Sequence, residues 1–276
     1  MIRMVFGATA LVISLVSFSQ SHAADCTRAS LQSLVDKYVA AQETGDASGL
    51  PLAASFKYIE NAKPGDIKTG ILSHKEKVDY NKHNLLDTTA CKTYSELIIT
   101  DPAHPYVIGT QMSVTKGKIA EINSLVSDDG DWLFSAKGTL KYASAEDWKP
   151  EALDRKSLLK IANTYFDRFD NPKIKVPWGP PCDRLEGGVY TGKGKPDDTC
   201  DLGVPNNVKI TNRIYVVDEA LGAVDIMADF GPNKQPDSHM FKIDGGQIRF
   251  VHTITICTIP RCGFGPAPAN APKPEP

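Results

Sequence analysis

The chain has few of the short motifs that identify common enzyme classes. Its 276 residues contain no Gly-x-Ser-x-Gly elbow, no glycine-rich nucleotide-binding loop and no His-Glu-x-x-His pair, so hydrolase, kinase and metalloprotease activities lack their usual support. Runs of lysine or arginine are also missing, and the net charge is −2 with acidic and basic residues interspersed. We therefore expect neither nucleic acid nor an anionic membrane as a partner.

Long apolar runs are missing except at the start of the chain. Residues 1–23 combine Arg3, an apolar run and Ser21-His22-Ala23 as a small-x-small cleavage site, which is typical of a secretory signal peptide. The run is short for a bilayer span, so we expect a soluble mature chain without membrane insertion, either secreted or in the lumen of the secretory pathway. Residues 263–276 are rich in proline and are predicted to form a disordered tail.

Six cysteines remain after such cleavage, an even number that favours disulfide bonds in an oxidising compartment. Pairing near neighbours first leaves the last two cysteines for each other, which gives Cys182–Cys200, Cys257–Cys262 and Cys26–Cys91. No Cys-x-x-Cys pair with downstream histidines occurs, so we predict no metal site. No cofactor-binding motif is present either, and we predict a cofactor-free protein.

Two segments have the apolar spacing of a helix, and each precedes a region with the alternation of strands. The first helix face consists of Leu31, Leu34, Val35, Tyr38 and Val39. The second consists of Leu158, Ile161, Ala162, Tyr165, Phe166 and Phe169. In each half, two alternating runs flank a glycine turn, at Gly117 and at Gly245-Gly246, which predicts a β-hairpin.

The two halves look like a degenerate duplication. The segment Gly117–Asn123 aligns with Gly246–His252 without a gap, and the order of helix, irregular segment and strands is the same in both halves. We place an N-terminal domain at residues 24–148 and a C-terminal domain at residues 149–262. The second half also has a long irregular loop over residues 176–205. Loops of this length are uncommon in compact domains, and we expect this one to be held by a disulfide and to have a functional or lid role.

A helix followed by a curved antiparallel sheet, twice, predicts an α+β chain in which a helix packs on the concave side of each sheet. With this order, the chain resembles tandem members of the nuclear-transport-factor-2-like (NTF2-like) superfamily, which includes SnoaL-like and ketosteroid-isomerase-like proteins. Four motifs also resemble secreted, largely uncharacterised filamentous-fungal proteins: Phe56–Asn61, Asp101–Gln111, Leu185–Gly188 and Asp237–His239. The resemblance implies two disulfide-stabilised cones with apolar cavities, and it implies no particular reaction.

Each strand of the second hairpin carries one histidine on its apolar side. Alternation places His239 with Phe241 and Ile243. It places His252 with Ile248, Phe250, Ile254 and Ile256. Such an imidazole either shuttles a proton or is a core residue bonded to a backbone carbonyl. His239 has two interpretations: Asp237 or Ser238 orients its ring, or the segment is a structural corner.

The first half has two histidines in loop-like segments, His83 and His104. We expect both to be exposed.

Other polar groups in the second half have two interpretations each. Asp225 and Asp229 share one face of a predicted strand, so each is a general base if that face lines a cavity, and solvent-exposed otherwise. Arg213 and Tyr215 either position a substrate or lie exposed on an edge strand. Trp178 forms an aromatic lip over the cavity or packs the long loop.

We therefore expect a protein that encloses a small apolar or polyketide-like molecule. As an enzyme, it would catalyse an isomerisation, dehydration or cyclisation by proton transfer. His252 would be the acid or base, with Asp229 or Asp225 as its carboxylate partner and His239 as a further catalytic group. Four residues would contact the substrate: Arg213, Tyr215, Trp178 and Phe250. The resemblance extends this to cyclases of fungal secondary metabolism, including those of maleidride type. The alternative is a non-catalytic secreted binding or effector protein.

Overall fold

The computed structural model describes residues 26–263. The predicted signal peptide lies outside the described residues, and so does the predicted tail after Gly263. Within the described range, no helix is long and apolar enough to cross a membrane. The architecture is α+β, with two six-stranded sheets that each carry a helix on one face.

The first half consists of helix α1 (Arg28–Thr44) and a sheet in the spatial order β2-β1-β6-β5-β4-β3. Its strands are β1 Leu52–Glu60, β2 Lys63–Pro64, β3 Leu85–Asp87, β4 Lys92–Ile99, β5 Tyr106–Thr115 and β6 Lys118–Ser127. Strands β1 and β6 are parallel, and the other neighbours are antiparallel. A connecting helix, α2 (Ala136–Ala145), follows.

The second half repeats this topology. Helix α3 (Arg155–Asp170) precedes a sheet in the order β8-β7-β12-β11-β10-β9, in which β7 and β12 are the parallel pair. Its strands are β7 Trp178–Glu186, β8 Val189–Tyr190, β9 Ile210–Asp218, β10 Ala223–Phe230, β11 Gln235–Asp244 and β12 Gln247–Thr255. Short 3₁₀ turns occupy Ala47–Gly49, Ile71–Ser73 and Pro260–Gly263.

Both long helices begin at a side-chain cap and bury the predicted apolar face. Thr27 accepts a hydrogen bond from the backbone N–H of Ser30, and Asp154 accepts one from that of Ser157. The apolar stripe of each helix packs on the sheet that follows it. Helix α1 ends at Gly45, which has the left-handed φ of 68° that favours glycine.

The strand registers confirm the internal alignment of the halves. Thr110 pairs with Ser124 as His239 pairs with Thr253, and these are equivalent positions of the two sheets. The two parallel strand pairs have matching registers as well. Glu60 of β1 lies opposite Ser124 of β6, and Glu186 of β7 lies opposite Thr253 of β12. The fold is therefore duplicated, whereas the domain boundary at residues 148–149 stays a prediction.

The two sheets pack against each other through the faces opposite their helices. The core between them contains Tyr80, Tyr94, Ile98, Leu125, Met227, Met240 and Ile254. Two ion pairs connect the halves. Arg155 donates two hydrogen bonds, of 2.8 and 2.9 Å, to Asp87, and Arg28 binds Asp218 at 2.6 Å. The layers are thus helix, sheet, sheet and helix, and both faces of each sheet are buried.

One predicted strand face is wrong. Strand β12 has a register shift between Ile248 and Phe250, and Ile248 packs with Val251 beneath α3. Ile254 lies in the core between the sheets, and Phe250 and His252 lie on that side too, next to Trp148. The prediction that grouped Ile248 with His252 fails because the irregularity inserts a residue and reverses the alternation at that point.

The three predicted disulfide pairings are those of the structure: Cys26–Cys91, Cys182–Cys200 and Cys257–Cys262. The first joins the start of α1 to the turn before β4. The second joins β7 to the irregular segment after β8, which is what remains of the predicted long loop. The third closes a short turn after β12. Three such bonds fit an extracellular or lumenal compartment.

The prediction of an irregular segment over residues 176–205 was partly wrong. Residues 178–186 form β7 because they pair with β12, which is distant in the chain, and residues 189–190 form β8 against β7.

Candidate functional site

A cavity of about 220 Å³ lies between helix α3 and the face of the second sheet that packs against this helix. We call it the α3 cavity. Aromatic side chains form much of its wall: Trp132, Tyr165, Phe169 and Phe230. The long loop contributes the segment Gly203–Pro205, so part of this predicted lid borders the cavity. An apolar, concave site with a few polar groups is the usual form of a small-molecule site.

His239 and Asp237 form a dyad at this wall. His239 Nδ1 lies 2.7 Å from Asp237 Oδ2, and both side chains are buried. Thr255 donates a hydrogen bond of 2.7 Å to the other carboxylate oxygen of Asp237. Because a carboxylate accepts hydrogen bonds, this contact places the proton on Nδ1 and leaves Nε2 as the basic nitrogen of His239.

Thr253 lies beside His239 on the neighbouring strand and also lines the cavity. Its buried hydroxyl has no hydrogen-bond partner among the described residues. A buried polar group without a partner costs about 1–3 kcal/mol. A ligand oxygen at this point would supply the missing partner.

Arg184 and Glu186 line the cavity but are bonded to the protein. Arg184 Nε donates to Glu186 Oε2 at 3.0 Å, and its Nη1 donates to the carbonyl of Cys200 at 3.0 Å. The indole of Trp132 donates to Glu186 Oε1 at 2.8 Å. Together with the Cys182–Cys200 disulfide, these bonds fix the loop and the Trp132 segment around the cavity.

In the first half, the residues at the positions equivalent to these cavity residues form hydrogen bonds within the protein. The hydroxyl of Tyr38, on α1, lies 2.7 Å from that of Thr110, which lies 2.8 Å from that of Ser124. Tyr58 donates to Glu60 at 2.6 Å. Burial raises the pKa of Tyr38 to about 12, against the opposing effect of these hydrogen bonds, so the phenol keeps its proton.

His252 does not line the α3 cavity, although we expected it to carry the chemistry. It lies between the sheets, with Nδ1 3.0 Å from Glu96 Oε1 and Nε2 2.8 Å from Glu146 Oε2. Burial lowers the pKa of His252, but the charges of Glu146 and Glu96 outweigh this and raise it to about 10. A buried, doubly paired imidazolium is a poor proton shuttle at neutral pH. The face that carries His252 meets the other sheet, and its catalytic role stays a prediction that this position does not favour.

Asp225 also lies between the sheets, which neither of its two interpretations foresaw. Gln111 donates to Asp225 Oδ2 and Ser238 contacts Oδ1, both at 2.6 Å. Burial raises the pKa of Asp225 to about 8, opposed by the hydrogen bonds from Gln111 and Ser238. Asp229 is half-buried on the same face and accepts a hydrogen bond of 2.6 Å from Asn212. Both carboxylates lie on the face of β10 opposite the one that carries Ile226, the residue that pairs with His239.

The predicted substrate-positioning pair fastens the helix instead. Arg213 donates to Asn163 at 2.6 Å and to Asp167 at 2.7 Å, and both acceptors lie on α3. Tyr215 donates to Asn163 at 3.0 Å. These bonds hold α3 against β9 and so set the position of the helix over the cavity.

The two predicted aromatic contacts lie outside the cavity lining. Trp178 packs edge-on against Tyr165 with 5.3 Å between ring centroids, which matches its interpretation as a packing residue. Phe250 stacks on Trp148 at 6.0 Å, on the side of the sheet that faces the first half. His83, expected to be exposed, is buried in the same region and stacks on Trp148 at 4.1 Å.

The chain is similar to a domain family of unknown function and to a solved bacterial structure. Residues 151–255 match the model of a domain of unknown function, DUF8021. No curated protein matches the chain. Among solved structures, the chain is similar to AclR from Streptomyces galilaeus, named as a candidate hydroxylase, with 10% sequence identity and a TM-score of 0.29 over 45% of this chain and 91% of AclR. These matches assign no activity to the chain.

Sequence reasoning missed Arg184, Glu186, Thr253 and Trp132 as cavity residues. Arg184 and Glu186 are two residues apart on β7, and this spacing places both on one face of the strand, but the segment was predicted to be irregular. Alternation along β12 also places Thr253 on the cavity face, but only when the register shift before Phe250 is taken into account. Trp132 comes from the segment between the halves, and no local pattern points to it.

Proposed function

We propose that the protein binds a small, largely apolar molecule in the α3 cavity and that His239, oriented by Asp237, acts on it as a general acid or base. The observation that carries this proposal is the dyad at the wall of an apolar cavity, 2.7 Å between His239 Nδ1 and Asp237 Oδ2. The duplicated fold supports an assignment as two tandem NTF2-like domains, meeting near residues 148–149.

The size of the cavity limits the ligand. Its volume of about 220 Å³ lies below the range of about 300–1,000 Å³ that is usual for drug-sized ligands. A single ring or a short chain fits this space better than a polycyclic molecule. The aromatic walls favour an apolar body, and the dyad and Thr253 favour one or two oxygen atoms at one end.

The chemistry follows from the hydrogen bonds of the dyad. Asp237 holds the Nδ1 proton and stabilises the imidazolium that forms when Nε2 takes a proton from the substrate. The hydroxyl of Thr253 can donate to an oxygen on which negative charge develops. Proton transfer next to a carbonyl, as in isomerisation, dehydration or cyclisation, needs no cofactor in such an arrangement.

Arg184 and Glu186 have structural roles in this proposal. Their charges are paired with each other, and the remaining atoms are bonded to Trp132 and to the loop. They therefore hold the wall of the cavity in place rather than attract an ionic ligand. The dyad is the cavity's reactive feature.

The test uses small cyclic ketones as probes and two NMR measurements. Ligand binding is followed by saturation transfer, and proton abstraction is followed by exchange of the α-protons in D₂O. We expect binding and exchange with the wild type, and a loss of exchange of roughly 100-fold or more with His239→Gln and Asp237→Asn. His104→Gln, on an exposed loop, is the matched control.

Three outcomes decide between the hypotheses. Binding with exchange that depends on His239 supports an enzyme. Binding without exchange, abolished when Val204→Trp fills the cavity, supports the non-catalytic binding protein. Binding that is unchanged in Val204→Trp would place the ligand elsewhere and overturn the proposal.

A further inference from the structure

Two imidazoles and two carboxylates meet between the sheets, far from the dyad's face. We call this group, His83, Glu96, Glu146 and His252, the inter-sheet cluster. His252 contacts Glu96 at 3.0 Å and Glu146 at 2.8 Å, and its ring lies 5.7 Å from that of His83. The four side chains come from the loop before β3, from β4, from the segment after α2 and from β12.

Three of these residues have the donors and the spacing of a metal site. One ligand atom each of His83, Glu146 and His252 lies within 4.8 Å of the others. Ligand atoms around a tetrahedral zinc ion are roughly 3.3 Å apart, given metal–ligand bonds of about 2.0–2.2 Å. His83 belongs to an irregular segment, so its ring can close the difference without disturbing a strand.

Both histidines are oriented as metal-binding histidines usually are. Glu96 contacts Nδ1 of His252, and the hydroxyl of Tyr80 lies nearer to Nδ1 of His83, at 2.7 Å, than to its Nε2, at 3.4 Å. Tyr80 in turn donates to the carbonyl of Ala143 at 3.1 Å. Such partners on Nδ1 fix each ring and direct Nε2 towards an ion.

The carboxylates supply an independent observation. The side chain of Glu146 is only 2% exposed, and its Oε1 is buried without a hydrogen-bond partner in the described structure. Glu96 and Glu146 also bring two buried carboxylates to the single imidazole of His252, which is costly in a protein interior unless positive charge balances them. A divalent cation that displaces the proton of His252 would balance both carboxylates and occupy the vacant oxygen.

We propose that His83, Glu146 and His252 bind one divalent metal ion of zinc type, with Glu96 as a positioning residue. Two nitrogen ligands and one oxygen ligand favour zinc over magnesium or calcium. The ion would join three segments that come from both halves and so strengthen the packing of the sheets. This site is independent of the α3 cavity and of any reaction there.

Trp148 gives the proposal a spectroscopic signal. Its ring stacks on His83 at 4.1 Å, and its indole N–H donates to Glu146 Oε2 at 2.6 Å. An ion bound at His83 and Glu146 must displace or repolarise both contacts. Binding of a paramagnetic ion such as Co²⁺ is therefore expected to quench the fluorescence of Trp148.

The experiment uses the purified protein without an affinity tag, stripped with EDTA and titrated with Co²⁺. We expect one equivalent to produce visible absorption bands of a four- or five-coordinate ion, to quench fluorescence, and to be displaced by Zn²⁺. Because the cysteines of the described residues are all in disulfides, thiolate ligands cannot produce these bands. Trp148→Phe should keep the bands and lose the quenching.

Variants separate the site from adventitious binding. His83→Gln and Glu146→Gln should abolish the stoichiometric bands, Glu96→Gln should weaken affinity roughly 10- to 100-fold, and His104→Gln should change nothing. Folding is checked by circular dichroism, and if a variant does not fold, the wild-type titration decides alone. A folded wild type without a one-equivalent Co²⁺ spectrum, or an unchanged spectrum in folded His83→Gln, would overturn the proposal.

Discussion

Asp225 should make the folded state less stable as pH rises, and Asp225→Asn should remove this effect. Burial raises the pKa of Asp225 from about 3.8 to about 8 in the folded state, against the hydrogen bonds from Gln111 and Ser238. Between these values the unfolded chain has lost the proton and the folded chain keeps it. The contribution is therefore complete below about pH 4, declines as pH rises and is lost near pH 8.

The hydrogen bonds agree with a protonated carboxyl. Ser238 is within bonding distance of both Asp225, at 2.6 Å, and the hydroxyl of Tyr94, at 3.3 Å. A serine hydroxyl has one proton, so Ser238 donates to the ionised Asp225, whereas the protonated Asp225 can donate to Ser238 and leave the serine proton for Tyr94. An asparagine keeps the shape and can donate in the same place.

The magnitude follows from linkage. One proton held only by the folded state lowers the free energy of unfolding by about 1.4 kcal/mol for each unit of rising pH, hence by at most about 3 kcal/mol between pH 5 and 7. Urea denaturation at pH 5, 6, 7 and 8 measures it as the difference between wild type and Asp225→Asn, in which the other titrating groups cancel. Asp229→Asn is the matched control on the same strand face. Parallel curves for wild type and Asp225→Asn would refute the argument.

Three further predictions concern the packing around the site. Asp87→Ala leaves Arg155 without its carboxylate partner and should lower the free energy of unfolding by about 3 kcal/mol in urea denaturation. A loss below about 1 kcal/mol would contradict the role of this ion pair in joining the halves. Replacing both Cys182 and Cys200 by alanine should cost about 3 kcal/mol and speed proteolysis of the long loop; an unchanged cleavage rate would show that the disulfide does not hold it. Tyr38→Phe should cost about 1 kcal/mol in the same assay, and a neutral result would mean that its hydroxyl bond contributes nothing.

Local patterns predicted the elements of the fold because those elements follow from local rules. The apolar faces at Leu31 and Leu158, the glycine turns and the pairing of near cysteines each depend on residues close in the chain. The alignment of Gly117–Asn123 with Gly246–His252 was also sufficient to reveal the duplication, since the registers of both sheets agree with it.

The orientation of the sheet faces could not be predicted in this way. Each sheet is covered by a helix on one face and by the other sheet on the opposite face, so apolar residues occupy both faces and alternation does not say which is concave. The partners that decide the role of His252 and Asp225 are Glu96 and Gln111, which lie 156 and 114 residues away in the chain. Contacts of that separation leave no local pattern in a single sequence.

The duplication itself argues that the dyad is functional. Where the second half has Asp237 and Thr255 paired across two strands, the first half has Ile108 and Val126, both in its apolar core. The same backbone is therefore stable with apolar residues at these positions, and a buried carboxylate there is a cost that folding does not require. Glu60 and Glu186, in contrast, are present in both halves and hydrogen-bonded in both, as expected of residues that the fold uses. This difference supports the proposal that chemistry resides in the second half, where Asp237 contacts His239 and Thr255, and where both of these line the α3 cavity.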